Sequence, residues 1–186
     1  MNPTSNKSDF EDLTTNLKDL AYSYLEKYSP SKQQLKVFLL KKYLTKIKGA
    51  ASKREVSTII DEIIINLEKN RIVSDELYSD SKARMFLRRG YSLNKINQSL
   101  RNKGIDSKYI KQTIDKIKED EIEPDFVSAL KLCKRRRIGP LRPEANRELF
   151  YKKDMGILAR GGFSFDLSKR ILNLDQKEFN KLLKIA

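Results

Sequence analysis

One short pattern recurs along this chain and restricts its fold more than any other feature. "FLRRGYSLNKINQSL" (Phe86 to Leu100) is echoed by "LARGGFSFDLSKRIL" (Leu158 to Leu172). Each reads as an apolar residue, basic residues, a glycine, an aromatic, a serine and then a short amphipathic segment. A weaker echo, "LEKYSPSKQQLKVFL" (Leu25 to Leu39), places Ser31 and Leu35 where the second copy has Ser92 and Ile96. The serines are spaced by 61 and then 72 residues. Such a period marks stacked supersecondary units, each too small to bury a core alone.

The hydrophobic spacing between these turns is helical. Leu13, Leu17, Leu20, Tyr24 and Leu25 form a first stripe, and Leu35, Phe38 and Leu39 mark a helix starting near Ser31. "SKRE" at Ser52 reads as a capping box, opening a broad stripe of Val56, Ile59, Ile60, Ile63, Ile64 and Leu67. "SDEL" at Ser74 starts a helix that Gly90 closes, and Ser92 caps a short helix ending at Gly104. Asp106 or Ser107 caps the next. A helix from about Asp125 to Arg137 follows, with carboxylates before it and cations at its end, as the helix dipole favours. Gly139 and Pro140 are expected to end it. Helices over Glu144 to Arg160 and Ser164 to Asn173, and one after Asp175, complete the chain. No alternating run carries hairpin turn chemistry. The expected division is 1–20 as the start of the first helix, 21–80 as repeat 1, 81–141 as repeat 2 and 142–186 as a shortened repeat 3.

Charge is distributed unevenly. The net charge is +14, which points to a polyanionic partner. Residues 1–81 are nearly neutral, 82–118 carry +9, 119–129 carry −5 and 130–172 carry +8. The densest run is Lys134, Arg135, Arg136 and Arg137. A helix end favours one or two cations, but four in a row, with Arg142 and Arg147 beyond, exceed what a cap requires. Arg88 and Arg89 precede Gly90 in an equivalent position. The polar face of Asn94, Lys95, Asn97 and Gln98 has the chemistry to read bases. A packed repeat unit fits the apolar positions of that segment as well and is the preferred reading, because the unit recurs in divergent form and sequence-specific reading would not; Ser92 and Ser164 read as caps rather than nucleophiles.

Several function classes are excluded or disfavoured. The chain has no His, no metal-ligand cluster and no Gly-rich phosphate loop, so it is not read as an enzyme, and no cofactor is expected. The lone Cys133 allows no internal disulfide and reads as a buried thiol. The N-terminus lacks a signal core, and no apolar run reaches the roughly 18–20 residues that span a bilayer. A soluble, cytoplasmic monomer is expected.

The repeated turn resembles that of the RecX family of recombinase regulators. "NLEKNRIVSDELYS" (Asn66 to Ser79) is similar to the family's link between its first two repeats. "ALKLCKRRRIGPLR" (Ala129 to Arg142) resembles its basic link into the third, and "ILARGGFSFDLSKRIL" resembles its third turn. The match runs from about Ala21 to Leu183. It departs at Tyr28-Ser29-Pro30, where the other copies have Gly-aromatic, and at Gly161, where the second copy has Arg89.

The resemblance implies an all-α fold, an elongated, curved array of three tandem three-helix repeats. It implies binding to the RecA-type recombinase filament on single-stranded DNA, with restraint of its ATPase and strand-exchange activity in recombination and repair. The residues expected to meet the filament, or single- or double-stranded DNA, are Arg84, Arg88, Arg89, Lys134, Arg135, Arg136, Arg137, Arg142, Arg160, Lys169 and Arg170. The alternative reading is a sequence-independent nucleic-acid-binding helical protein without a recombinase partner.

Overall fold

Serine-capped helices are the organising elements of the fold, which a computed structural model describes for residues 3–47 and 52–185. The outermost residues of the expected N-terminal segment and third repeat lie outside this range, as do 48–51. The order is α1 (Pro3–Leu25), α2 (Lys32–Lys42), α3 (Lys53–Lys69), α4 (Asp75–Arg88), α5 (Leu93–Arg101), α6 (Ser107–Asp120), α7 (Pro124–Arg136), α8 (Glu144–Arg160), α9 (Phe165–Leu172) and α10 (Gln176–Ile185). A π-helical turn continues α2 over Tyr43–Ile47, and a 3-10 turn spans Gly139–Leu141. The described residues contain no strand.

The expected starts hold because they are local chemistry. Ser31 and Ser52 form complete capping boxes with Gln34 and Glu55. Ser92 and Ser164 accept from the N–H groups of Lys95 and Leu167, at 3.1 and 3.2 Å. Asp106 caps α6 through the N–H of Lys108.

Four helix ends, those of α3, α4, α7 and α8, follow one recipe with two residue types. After α4 and α8, Gly90 and Gly162 take positive φ. The next N–H reaches back five residues, from Tyr91 to the Phe86 carbonyl and from Phe163 to that of Leu158, while the glycine N–H bonds three residues back. This is the Schellman arrangement, and Tyr91 packs on Phe86 at 5.6 Å as that motif favours. After α3 and α7 the same bonds form, but Arg71 (φ 58°) and Arg137 (φ 53°) hold the left-handed position. α7 is therefore closed by Arg137, not by Gly139 as expected. The buried Ile138 fixes this choice, because its N–H must reach the Cys133 carbonyl.

The chain forms two compact units, Met1–Tyr78 with Lys103–Ile105, and Ser79–Asn102 with Asp106–Ala186. In the first, Leu13, Leu17 and Ala21 of α1, Leu35 and Leu39 of α2, and Val56, Ile60, Ile63, Ile64 and Leu67 of α3 share one core. Tyr24 stacks on Phe38 with ring centroids 3.9 Å apart. Lys36 and Asp61 pair at 2.6 Å, tying α2 to α3. The Ser31 hydroxyl donates to the Lys103 carbonyl at 2.8 Å.

In the second unit, Phe126, Ala129, Leu130, Leu132 and Cys133 of α7 meet Leu158, Phe163, Ile171, Leu172 and Phe179 from α8 to α10. Cys133 is fully buried, and burial pushes its thiol up to about 12, out of reach of thiolate chemistry near neutrality. Thr113 of α6 donates to Asp80 of α4 at 2.6 Å. The α4–α5 turn lies directly on the α7 backbone. A Cβ on Gly90 would stand 2.5 Å from the Leu132 nitrogen and 2.7 Å from the Ser128 carbonyl oxygen.

Gly90→Ala therefore combines an unfavourable φ with a backbone clash and is expected to lower unfolding free energy by about 2–4 kcal/mol. Gly156→Ala sits inside α8, where the nearest atom is the flexible end of Arg160 at 3.4 Å. It is expected to raise stability by about 0.5–1 kcal/mol on helix propensity. Urea denaturation of both variants checks the pair, and similar values for the two would contradict this packing.

Candidate partner-binding surface

Two helix C-termini meet in the second unit. Gly90 brings the end of α4, with Arg88 and Arg89, against the middle of α7. One turn further along α7, the Arg135 guanidinium lies over the Tyr91 ring, 5.7 Å from its centroid. Arg88, Arg89 and the run Lys134 to Arg137 are all exposed. Both sets sit where helix carbonyls carry partial negative charge, which favours cations and lowers their mutual repulsion. Cation-π contact with Tyr91 orients Arg135 without neutralising it. The result is a cationic surface on which no described ion pair engages these six residues.

Arg84 occupies the previous turn of α4 and is exposed. Its charge acts on Asp80. Burial alone raises that carboxyl, but hydrogen bonds from Thr113 and Lys116, with the charges of Lys116 and Arg84, hold it below the usual carboxylate range. Lys169 and Arg170 lie in the last turn of α9. Arg170 covers the Phe126 ring at 4.4 Å and pairs with Glu123 at 3.1 Å, so part of its charge is answered within the chain. Arg160, at the end of α8, lines a separate groove along α5.

Arg142 has a different role from its neighbours. Its Nε and Nη2 donate to the two carboxylate oxygens of Asp154, both at 2.7 Å. Asp154 is only 1% exposed and also accepts from the Gly139 N–H at 2.9 Å. The guanidinium lies 4.4 Å from the Phe150 ring centroid. Arg147 adds a bond to the Pro140 carbonyl at 2.6 Å. These contacts fasten the link between α7 and α8 to α8 itself. Sequence reading missed Asp154, the one acidic residue in α8 that is buried. Its place twelve residues after Arg142 gave no local signal.

The acidic stretch before α7 places Asp125 in the first turn of that helix, as the dipole favours, but supplies no side-chain cap. Glu123 makes no side-chain cap on α7. Asp125 reaches instead to α5, where its Oδ1 accepts from the Leu93 N–H at 2.7 Å. Burial raises its carboxyl above the usual range despite that bond. Pro124, in the first turn of α7, needs no N–H partner there.

Among the described residues no group of acidic or thiol side chains could hold a metal, and no helix is long and apolar enough to cross a membrane.

No family model matches the chain. It is 30% identical to Regulatory protein RecX of Myxococcus xanthus (strain DK1622) over 161 residues, 86% of this chain and 85% of that protein. It is 29% identical to Regulatory protein RecX of Clostridioides difficile (strain 630) over 133 residues, 69% of this chain and 58% of that protein. A crystal structure of regulatory protein RecX is similar in fold, with a TM-score of 0.60 and 22% identity, over 88% of this chain and 73% of that one. RecX from Lactobacillus salivarius is similar with a TM-score of 0.61 and 17% identity, over 95% of this chain and 99% of that one.

Arg142→Met keeps an apolar stem beside Phe150 but strips Asp154 of its counter-ion. It is expected to cost about 3 kcal/mol of stability, the usual penalty for orphaning a buried charge. Arg136→Met removes an exposed charge and is expected to change stability by less than about 0.5 kcal/mol. Thermal and urea unfolding of the two variants give the comparison, and equal effects would refute the structural role of Arg142.

Proposed function

The chain belongs to the RecX family of regulatory proteins, and from that premise we propose that it binds a RecA-type recombinase filament on single-stranded DNA and restrains its ATPase and strand-exchange activity. The observation that carries this reading is the cationic surface where α4 and α7 end. A recombinase–DNA filament is an extended polyanion, and such a surface gains affinity from counterion release on contact with phosphates and from acidic protein side chains in the same way. The role proposed is non-catalytic, exercised in the cytoplasm by a monomer during recombination and repair. Arg88, Arg89 and Lys134 to Arg137 are the proposed contacts, with Arg84 and Lys169 as flanking charges. Arg142 and Arg170, held within the chain, support the surface rather than form it.

Arg137 carries a second line of support. A non-glycine residue in the left-handed region costs about 1–2 kcal/mol, and glycine would serve the turn better. Strain of this kind is retained where the side chain is useful. Arg137→Gly is expected to raise stability by about 1 kcal/mol while weakening inhibition of the recombinase, measured by urea unfolding and by ATP hydrolysis on single-stranded DNA. A stabilised variant that inhibits as well as the parent removes this argument.

The direct test is charge reversal. With Arg135, Arg136 and Arg137 changed to Glu, the concentration giving half-maximal inhibition of recombinase ATPase should rise on the order of a hundredfold, as loss of about 1 kcal/mol per contact implies. The melting temperature should move by less than about 3 °C, because exposed charges contribute little. A parent protein with no effect on the recombinase at any stoichiometry would overturn the functional reading itself.

A further inference from the structure

Apart from the α4–α7 surface, the second unit holds an open groove of about 660 Å3 between α5 and the last turn of α8. Its walls carry Asn94, Lys95, Asn97, Gln98, Arg101 and Arg160. Every charged residue lining it is a cation. Solvated helix faces ordinarily mix both signs, so three cations interleaved with three carboxamides make an unusual lining.

The groove is built by fixed contacts. Ile96 and Leu100 are fully buried and anchor one face of α5, which turns Asn94, Gln98 and Arg101 outward. Gly162 (φ 88°) lets the α8–α9 turn abut the first turn of α5. A Cβ there would strike the Ser92 hydroxyl and stand 2.9 Å from the Lys95 Cβ. The Ser92 N–H donates to the Gly161 carbonyl at 3.1 Å. Lys95 Nζ donates to Gln98 Oε1 at 3.4 Å, so that bond uses the Gln98 carbonyl and not its amide N–H groups.

This chemistry selects a ligand. Cations alone would suit any polyanion. Carboxamides offer donor and acceptor together, which matches the edge of a nucleobase and not a carboxylate, which only accepts. The geometry then selects the form of nucleic acid. A recognition helix must enter a major groove about 12 Å wide. α5 is pinned at its N-terminus by Asp125 and Gly161, and the end of α8 walls its polar face. Unpaired base edges can reach those amides without a helix having to enter a major groove.

We propose that this groove is a binding site for single-stranded nucleic acid, with Lys95, Arg101 and Arg160 holding backbone phosphates and Asn94 and Gln98 meeting unpaired base edges. The site is separate from the surface assigned to the recombinase and does not rest on that assignment.

The test uses the full chain without recombinase, a labelled mixed-sequence single strand and its duplex, and fluorescence anisotropy over a salt series. The parent protein should prefer the single strand. Arg101→Ala with Arg160→Ala should weaken single-strand binding about tenfold or more and make the log–log salt slope shallower by about 1 to 2. Asn94→Ala with Gln98→Ala should weaken it several-fold at unchanged slope and narrow the preference over duplex. These side chains are solvent-facing, so circular dichroism and melting should match the parent. Groove variants that bind like the parent overturn the proposal, as does equal affinity for duplex. Competition by poly-glutamate as strong as that by an oligonucleotide of equal charge would place an acidic polypeptide there instead. Loss of binding only with the Arg135, Arg136 and Arg137 reversal would assign the nucleic acid to the α4–α7 surface.

Discussion

The fold depends on how the serine-capped helices α2 and α5 are closed at their N-termini. A helix start leaves four N–H groups unanswered, and a serine cap satisfies only part of that demand. Here a second acceptor comes from far along the chain. Asp75, at the start of α4, accepts from the Lys32 N–H of α2 at 2.9 Å. Asp125, near the start of α7, accepts from the Leu93 N–H of α5 at 2.7 Å. Each aspartate thus returns the chain to the helix it left two elements before. A charged acceptor meeting a helix N-terminus gains from the dipole as well as the hydrogen bond. That bond converts three short helices, individually marginal, into a closed module.

The same device explains why the repeats are spaced unequally. In the first module the closing helix, α4, leads directly into the next serine turn, and Ser92 follows Asp75 by 17 residues. In the second, α7 closes the module but does not open the next. The 3-10 turn and α8 intervene, and Ser164 follows Asp125 by 39 residues. Closing and opening are one helix in the first case and two in the second. The added joint needs its own fastening. Asp154 supplies it, gripping the Gly139 N–H and both arms of Arg142. A buried carboxylate is tolerable there because each oxygen has a charged or backbone donor.

What could be read from the sequence is what local chemistry decides. Ser31, Ser52, Ser92 and Ser164 announce their helices because a cap acts over three residues, and Gly90 and Gly162 mark turns that need positive φ. The all-α class followed from periodicity. The misses are long-range. In the sequence Asp125 reads only as the start of its own helix, and its carboxylate also serves another, 32 residues back. Arg142 looked like one more cation in a basic run, and only the fold shows Asp154 beneath it. Arg137 was passed over as a helix terminator because glycine stood two residues later, while the burial of Ile138 forced the turn earlier. A basic run advertises charge but not which charges are already answered.

That distinction bears on the surface itself. Helix C-termini are places where cations cost little, so a lineage can accumulate them there without disturbing a core. The end of α7 shows the limit of that reasoning, since Arg137 takes the left-handed position at a conformational cost no dipole effect requires. Arg71 does the same after α3, within residues 1–81, whose charge is nearly balanced. Arg71 turns α3 into α4 and Arg137 turns α7 into the 3-10 segment, and both are exposed, so neither turn is left-handed because its side chain is needed in the core. The positive charge at the end of α7 is therefore only partly accounted for by the helix dipole.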